Sequence, residues 1–142
     1  MRIYVASSWR NTRQEEVVSR LRKQDHEVYD FKNPKEGSGG FHWSEIDPDW
    51  KSWGVSQFRR GLDHPLAWRG YTIDMDALKQ SGVVVLVLPC GRGAHLEAGW
   101  AVGAGKRLFI LADDSEPELM YRMATAIVDN LSDLVAVLEG VE

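Results

Sequence analysis

The sequence predicts an α/β fold: a single-domain, doubly wound, flavodoxin-like or Rossmann-like protein with a mostly parallel sheet of about five strands. Three observations predict it. Short apolar runs rich in β-branched residues alternate with amphipathic segments of helical length. The apolar runs end in polar or glycine-rich residues, as buried parallel strands do. The chain of 142 residues has the size of one domain, so we expect a single domain over 1–142.

The first part of the chain predicts a β-α-β unit. "RIYVA" (2–6) predicts strand one, "NTRQEEVVSRLRKQ" (11–24) predicts an amphipathic helix, and "HEVYDF" (26–31) predicts strand two. Asn11 or Thr12 is the expected cap of the helix. Such a unit is expected to be right-handed and parallel.

Residues 33–70 interrupt this alternation. They contain Gly, Pro and Asp without a hydrophobic period, and they are rich in tryptophan. An irregular segment of this length in a compact domain is typically a lid or a binding loop. We therefore expect a Trp-rich lid insert with at most one short helix near its end.

The alternation resumes after the insert. We expect a helix, strand three, a helix, strand four, a short helix, a short strand five and a terminal helix capped by Ser132. The expected bounds are 71–82, 83–89, 95–106, 107–111, 116–124, 126–129 and 131–141. Ligands of such sheets bind beyond the carboxyl ends of the strands, at the switch point. The loops "SSWRN" and "CGRGAH" follow strands one and three, so we expect the functional site there.

Composition and charge exclude several classes of function. The formal net charge is −4 without a block of like charge, which predicts no surface for a nucleic-acid polymer. No segment has the length of a transmembrane helix, and the N-terminal apolar run is too short for a signal peptide. The single cysteine, Cys90, excludes an internal disulfide and is typical of a reducing compartment. We expect a cytoplasmic protein that acts on a small molecule, with no membrane partner.

Glu97 is the first candidate catalytic residue. It is the one carboxylate in "LPCGRGAHLEAGWAVGAGK" (88–106), which continues from an apolar strand. Gly91, Gly93 and Ala94 leave room for a ligand. The expected first turn of the following helix favours an ionised carboxylate there. The alternative is a glutamate that interacts only with its own helix end.

Other side chains at the two strand ends are candidate substrate ligands. Arg92, between Gly91 and Gly93, and the loop after strand one are suited to bind an anion such as a phosphate. His95 is either a proton carrier or a hydrogen-bonded structural residue. The loop residues, for which ordinary helix capping is the alternative, are Ser7, Ser8, Trp9 and Arg10.

Asp74 and Asp76 are candidate acids in the helix before strand three. Either one can face the site, and the alternative is a solvated acid pair. In the insert, Phe41 and Trp43 are the expected stacking residues for a base or sugar, or else they form the apolar underside of the lid. We interpret Cys90 as a residue at a buried strand end rather than a nucleophile.

Neither a metal nor a cofactor is expected. No two histidines have helical metal-ligand spacing, and no second cysteine is present. The chain also lacks a Walker loop, and "GRGAHLEAG" lacks the spacing of a dinucleotide-binding motif.

The chain resembles the nucleoside 2-deoxyribosyltransferase family, which includes related nucleotide N-glycosidases. "MRIYVAS", "DMDALKQSGVVVLVL" and "GRGAHLEAGWAVGAGKRLFIL" carry the resemblance, which covers 1–31 and 71–112. In this alignment Asp74 and Glu97 stand at the family's catalytic acids. The resemblance implies that Glu97 attacks C1′ of a 2-deoxyribosyl group, while Asp74 helps to bind the base and protonates it as it leaves. It also implies a homo-oligomer with active sites completed across subunits.

Two departures from the family bear on the substrate. Gly91 stands where the transferases carry an acid that accepts from the sugar 5′-hydroxyl, and Arg92 follows it. Ser7 replaces the glycine of the first strand's "AG". Both changes favour a 5′-phosphate, as in the nucleotide N-glycosidase branch. The resemblance leaves transfer and hydrolysis open, and the alternatives are an NAD glycohydrolase-like enzyme and a non-catalytic nucleotide-binding or sensing module.

Overall fold

The computed structural model describes residues 1–34 and 39–140. Its chain divides into two compact units, Met1–Asp30 with Leu78–Glu142, and Phe31–Ala77. The expected insert falls within the second unit, although its residues 35–38 lie outside the described residues, as does the expected helix end at 141. Among the described helices, none combines the length and the apolar character needed to cross a membrane.

A five-stranded parallel sheet forms the first unit. The strand order is β2-β1-β3-β4-β5, and every neighbouring pair is parallel. The strands are β1 Arg2–Ala6, β2 Glu27–Asp30, β3 Val83–Val87, β4 Arg107–Leu111 and β5 Ala126–Val128. This order confirms the predicted doubly wound, flavodoxin-like α/β fold, with its switch point between β1 and β3.

Side-chain alternation along the strands assigns the two faces of the sheet. Ile3 and Val5 of β1 belong to a buried core shared with helices α1 (Gln14–Lys23) and α5 (Leu131–Glu139). Tyr4 is completely buried and points to the opposite face, where α4 packs. One residue of β1 therefore reaches the helix that carries Glu97.

Arg13 is the N-cap residue of α1 and makes no side-chain cap hydrogen bond, so the prediction of Asn11 or Thr12 at that position was wrong. The side chain that pairs with the first N–H groups of the helix is nevertheless that of Asn11. Its Oδ1 accepts hydrogen bonds from the backbone N–H groups of Arg13 at 2.8 Å and Gln14 at 3.0 Å. The cap of α5 was predicted wrongly. Asn130, whose side chain accepts from Asp133 N at 2.8 Å, precedes the helix, whereas Ser132 lies inside it.

Helix α4 covers Arg92–Gly103 and starts three residues earlier than the predicted 95. Gly91 adopts an extended conformation as its N-cap, and its carbonyl accepts from His95 N at 3.4 Å. Glu97 consequently lies in the second turn. The expectation that first-turn N–H groups act directly on its charge is therefore wrong, because that effect is confined to the first turn.

Small residues let α4 lie close to the sheet. Ala94, Ala98 and Ala101 are buried and recur at the i, i+4, i+7 spacing of one helix face. At the end of the helix, Gly105 has a φ of 82°, and Lys106 N donates to Ala101 O at 2.9 Å. This reversal is the Schellman motif, and it leads directly into β4.

The insert contains more helix than predicted. Short 3₁₀ turns at Trp43–Glu45 and Trp50–Ser52 precede α2 (Val55–Leu62). Helix α3 covers Pro65–Gln80, so it begins before the predicted 71. Proline at the first helical position lacks an N–H that would be unpaired there in any case, which favours a helix start at Pro65.

Lys106 closes the other end of α3. Its Nζ donates to Lys79 O at 2.9 Å and also to Ser81 O, which satisfies carbonyl groups left unpaired at a helix end. The lysine of "GAGK" therefore has a structural role. Between β4 and β5, the predicted helix at 116–124 is instead a 3₁₀ turn at Leu119–Met123.

Candidate active site

The loops that follow β1 and β3 are joined by side-chain hydrogen bonds. Ser7 is buried, and its hydroxyl donates to Val87 O at 2.9 Å. Asn11 Nδ2 donates to Pro89 O at 2.9 Å. The switch point is thus built from two loops held together by polar side chains, where a ligand of this fold class is expected. The single hydroxyl proton of Ser7 is engaged with the main chain in this arrangement.

Glu97 accepts a hydrogen bond from Tyr4. The hydroxyl of this completely buried tyrosine donates to Glu97 Oε2. The Tyr4 ring stacks on Tyr29 of β2, with centroids 5.1 Å apart and an interplanar angle of 21°. Glu97 itself is half-buried. A fixed donor therefore orients a carboxylate that is still accessible to a small molecule.

His95 lies on the other flank of α4. Two residues along a helix correspond to a rotation of about 200°, which separates the side chains of His95 and Glu97. His95 Nδ1 lies 2.8 Å from Gly91 O, and Nε2 lies 2.8 Å from the Tyr121 hydroxyl. Because a carbonyl can only accept, Nδ1 donates to Gly91 O, and Nε2 pairs with the Tyr121 hydroxyl. The structure therefore gives His95 a structural network and does not bring it to Glu97.

Cys90 has the properties of a structural thiol. Burial, together with the negative charges of Asp113 and Glu97, raises its pKa to about 11. The thiolate, which is the nucleophilic form, is therefore rare at neutral pH. Burial also raises the pKa of Tyr121, with smaller contributions from neighbouring acidic groups. Within the described residues, no group of His, Cys, Asp and Glu side chains could hold a metal ion.

Two exposed arginines flank the switch point. Arg10 follows β1, and Arg92 is the first residue of α4. Neither side chain has an ion pair or hydrogen bond to another described residue. A Cβ placed on Gly91 or Gly93 would meet no described atom within 4 Å, so the start of α4 is open. Unpaired cations beside a helix N-terminus suit an anionic ligand. Ser8 is half-buried and Trp9 exposed in the same loop as Arg10.

Asp74 lies in α3, within the unit Phe31–Ala77. It is half-buried, whereas Asp76 is exposed. Asp74 precedes the completely buried Leu78 by one helical turn and shares its helix face. The two candidate acids thus differ in exposure, and Asp74 is the less exposed of them.

Phe41 and Trp43 belong to an aromatic cluster in the same unit. Their ring centroids are 4.9 Å apart, and Trp43 also contacts Trp53 at 5.7 Å and Phe58 at 5.6 Å. Phe41 packs over Gly70, where an added Cβ would lie 2.8 Å from the Phe41 Cβ. The contacts of these rings are thus with other residues of the insert and of α3, and stacking on a substrate remains a prediction.

Sequence reasoning missed three residues of the site. Tyr4 carried a usable signal, because a tyrosine in a buried strand needs a partner for its hydroxyl. Arg13 and Tyr121 carried none. Their contacts join chain positions far apart in sequence, and such contacts leave no local pattern.

Among the solved structures that are similar to this chain are two enzymes. One is the Clostridium botulinum CMP N-glycosidase BcmB, with a TM-score of 0.54 and 17% identity, over 98% of this chain and 99% of that chain. The other is a 2-deoxyribosyltransferase from the psychrotolerant bacterium Bacillus psychrosaccharolyticus, with a TM-score of 0.58 and 19% identity, over 93% and 88% of the two chains. No family model and no curated protein matches the sequence. At this identity the similarity shows the fold, and both enzymes are of the kinds that the sequence motifs resemble.

Proposed function

We propose that this chain is an enzyme of the nucleoside 2-deoxyribosyltransferase family that cleaves the N-glycosidic bond of a (deoxy)nucleoside or its 5′-monophosphate. The observation that carries the proposal is the hydrogen bond from buried Tyr4 to Glu97, on the helix that follows β3. Resemblance in the motifs and a fold shared with a CMP N-glycosidase and a 2-deoxyribosyltransferase support it.

The proposed reaction has two steps. A carboxylate oxygen of Glu97 attacks C1′ of the sugar, the C1′–N bond breaks, and its electron pair leaves with the base, which takes up a proton. The product is a covalent glycosyl ester of Glu97. Attack on C1′ by water gives hydrolysis, and attack by an acceptor base gives transfer; either step restores the carboxylate.

Asp74 is the proposed donor of the proton to the departing base. Its place relative to β3 in the motif supports this role, and so does its lower exposure compared with Asp76. A positioned acid helps because negative charge develops on the leaving nitrogen as the bond breaks. Phe41 and Trp43 remain proposed contacts of the base.

The proposed phosphate ligands are at the switch point. Arg92 and Arg10 provide positive charge, and the first N–H groups of α4, at Arg92 and Gly93, are of the kind that bind anions. Of the other predicted substrate contacts, Ser8, Trp9 and Gly91 keep that role in this proposal, whereas Ser7, whose hydroxyl donates to Val87 O, holds the loop in place. His95 acts in this proposal through the Gly91 carbonyl that it holds.

The first experiment replaces the proposed nucleophile. Purified wild type, Glu97→Gln and Glu139→Gln are incubated with nucleosides and 5′-monophosphates, with and without an acceptor base, and free base is quantified by HPLC. We expect Glu97→Gln to lose at least about 1,000-fold in turnover, because a covalent step has no substitute nucleophile. Glu139 is exposed on α5, so its variant should behave as wild type.

The same substrate panel distinguishes the alternatives. Wild-type rates of base release by Glu97→Gln would contradict the nucleophile assignment. Nucleotide binding without release of base from any substrate would favour the sensing module. Release of nicotinamide from NAD alone would favour the NAD glycohydrolase-like enzyme.

A second experiment tests the phosphate. Arg92→Ala should lower kcat/KM for 5′-monophosphates by about 10- to 100-fold, because it removes one charge-assisted hydrogen bond. The kcat/KM for nucleosides should change little. Lys23→Ala, which removes an exposed cation at the far end of α1, is the control. An equal loss for nucleosides and monophosphates would contradict a phosphate contact.

We further propose that the protein acts as a homo-oligomer in the cytoplasm. The exposed apolar side chains treated below support the assembly, and the single cysteine supports the compartment.

A further inference from the structure

Arg13 joins the carboxyl ends of two strands. Its Nη1 donates to Leu88 O at 3.3 Å and to Ala112 O at 3.1 Å, the residues that follow β3 and β4. Asn11 holds the neighbouring carbonyl of Pro89 at 2.9 Å. Successive main-chain carbonyls at the end of β3 are thus tied to the start of α1.

The Arg13 guanidinium donates hydrogen bonds to these carbonyl groups and does not form an ion pair with a described residue. Within the described residues, it lies within ion-pair distance of no carboxylate. The nearby Asp113 has a lowered pKa chiefly because the Ser115 hydroxyl donates to it, with Arg13 as the least of the causes. Hydrogen bonds from a charged donor to main-chain carbonyls are stronger than neutral ones.

The held carbonyls lie directly before the helix that carries Glu97. Only Cys90 separates Pro89 from Gly91, the N-cap of α4. The position of this short segment determines where α4 begins. The buried alanine face of α4 then determines the distance between the helix and the sheet. A displaced segment would move Glu97 relative to Tyr4, which is fixed in β1.

We infer that Arg13 is a positioning residue for Glu97, which it aligns by holding the ends of β3 and β4. This inference rests on the proposed function for its kinetic consequence, whereas the structural consequence can be measured without turnover. Displacement of reacting groups by about 1 Å can cost about 100-fold in rate. Arg13 therefore acts on kcat through the main chain and does not contact the substrate.

The test compares Arg13→Met with Arg22→Met. Arg13 precedes α1 as its N-cap residue, and Arg22 is the matched control because it lies at the other end of this helix and also donates to a strand carbonyl, Val28 O at 3.0 Å. Arg13→Met loses hydrogen bonds to two strand carbonyls and Arg22→Met loses one, and both variants keep most of the side-chain volume. At a temperature where circular dichroism shows both folded, we expect Arg13→Met to lose about 10- to 100-fold in kcat with KM within about twofold, and Arg22→Met to keep both.

The activity-independent measurement is the NMR signal of the Tyr4 ring. With tyrosine labelled at Cζ, the chemical shift of this carbon reports the hydrogen bond of the phenol, and Tyr4→Phe assigns the signal. Arg13→Met should move it towards its position in Glu97→Gln, and Arg22→Met should leave it unchanged. An unmoved Tyr4 signal in folded Arg13→Met, or equal kcat losses in both variants, would overturn the inference. If wild type releases no base but the signal moves as expected, the proposed function fails and the positioning of Glu97 by Arg13 stands.

Discussion

Tyr4 and Glu97 form the pair on which the proposed chemistry depends. Tyr4 is buried in an apolar strand, and its hydroxyl donates to a carboxylate on a helix that packs over that strand. Stacking on Tyr29 restricts the ring, so the hydroxyl is presented in one direction. A hydrogen-bond donor fixed in this way orients the carboxylate before the substrate binds, which lowers the cost of reaching the reactive geometry.

We predict that Tyr4→Phe lowers kcat about 10- to 100-fold at nearly unchanged KM, because it removes one hydrogen bond to a charged group and leaves the ring in place. Single-turnover release of base measures the effect. Tyr71→Phe is the control, since it also removes a tyrosine hydroxyl, but from an exposed ring on α3. Wild-type kcat in Tyr4→Phe, or equal losses in both variants, would contradict the assignment.

The residues of this site differ in how readily they can be predicted from the sequence. Glu97 stands out because it is an isolated acid among small residues and belongs to an ordered motif. Tyr4 is read as part of an apolar strand, and its hydroxyl gains meaning only when α4 is placed over it. Arg13 resembles any surface arginine of an amphipathic helix until the carbonyls of Leu88 and Ala112 are brought to it by the sheet.

At the scale of elements, strand β4 and helix α4 show which element boundaries can be predicted from the sequence. The predicted strand β4 agrees at both ends, because its apolar run comes after the glycines that end α4 and is followed, after Ala112, by Asp113 and Asp114. The start of α4 was misplaced because Gly91, Arg92 and Gly93 have weak local preferences, and glycine was interpreted as loop. At the other end, Gly105 follows the helix with a positive φ, as expected for a C-terminal stop.

Two glycines at the end of α4 should respond to alanine with opposite signs. Gly103 is helical and exposed, and an added Cβ meets no described atom within 4 Å, so Gly103→Ala should raise the free energy of unfolding by about 0.5–1 kcal/mol. Gly105 has a φ of 82°, and an alanine held in this left-handed conformation is less stable by roughly 1–2 kcal/mol. Gly105→Ala should therefore lower the free energy of unfolding. Urea denaturation of the two variants and wild type measures both. Changes of the same sign would contradict this account of the helix end.

At the scale of the whole molecule, the alternation of strands and helices was sufficient to predict the sheet. Its parallel pairing agrees with the prediction from helical crossovers, which are right-handed in such sheets. The insert was predicted less well, because its helices are held by aromatic contacts such as Trp43 with Trp53 and Phe58 rather than by a regular period. The sequence analysis therefore allowed at most one short helix where α2 and the first residues of α3, 65–70, lie.

Exposed apolar side chains indicate where copies of the chain would associate. Leu96 and Trp100 lie one turn apart on the outer face of α4. Leu119, Met120 and Met123 lie on the 3₁₀ turn that the Tyr121–His95 hydrogen bond joins to this helix. Leu119 is 84% exposed. Apolar residues grouped on neighbouring elements are typical of a protein–protein interface rather than of scattered surface positions.

We therefore predict that the protein sediments as a homo-oligomer, with a mass that is a multiple of its 16.1 kDa chain. Leu119→Glu combined with Met120→Glu should dissociate it, because burial of two carboxylates in an apolar contact costs several kcal/mol. Val55→Glu changes an equally exposed apolar residue on α2 and should leave the assembly intact. Analytical ultracentrifugation gives the masses, and base release by the dissociated variant reports whether a neighbouring subunit completes the site. A monomeric wild type, or dissociation by Val55→Glu alone, would contradict this interface.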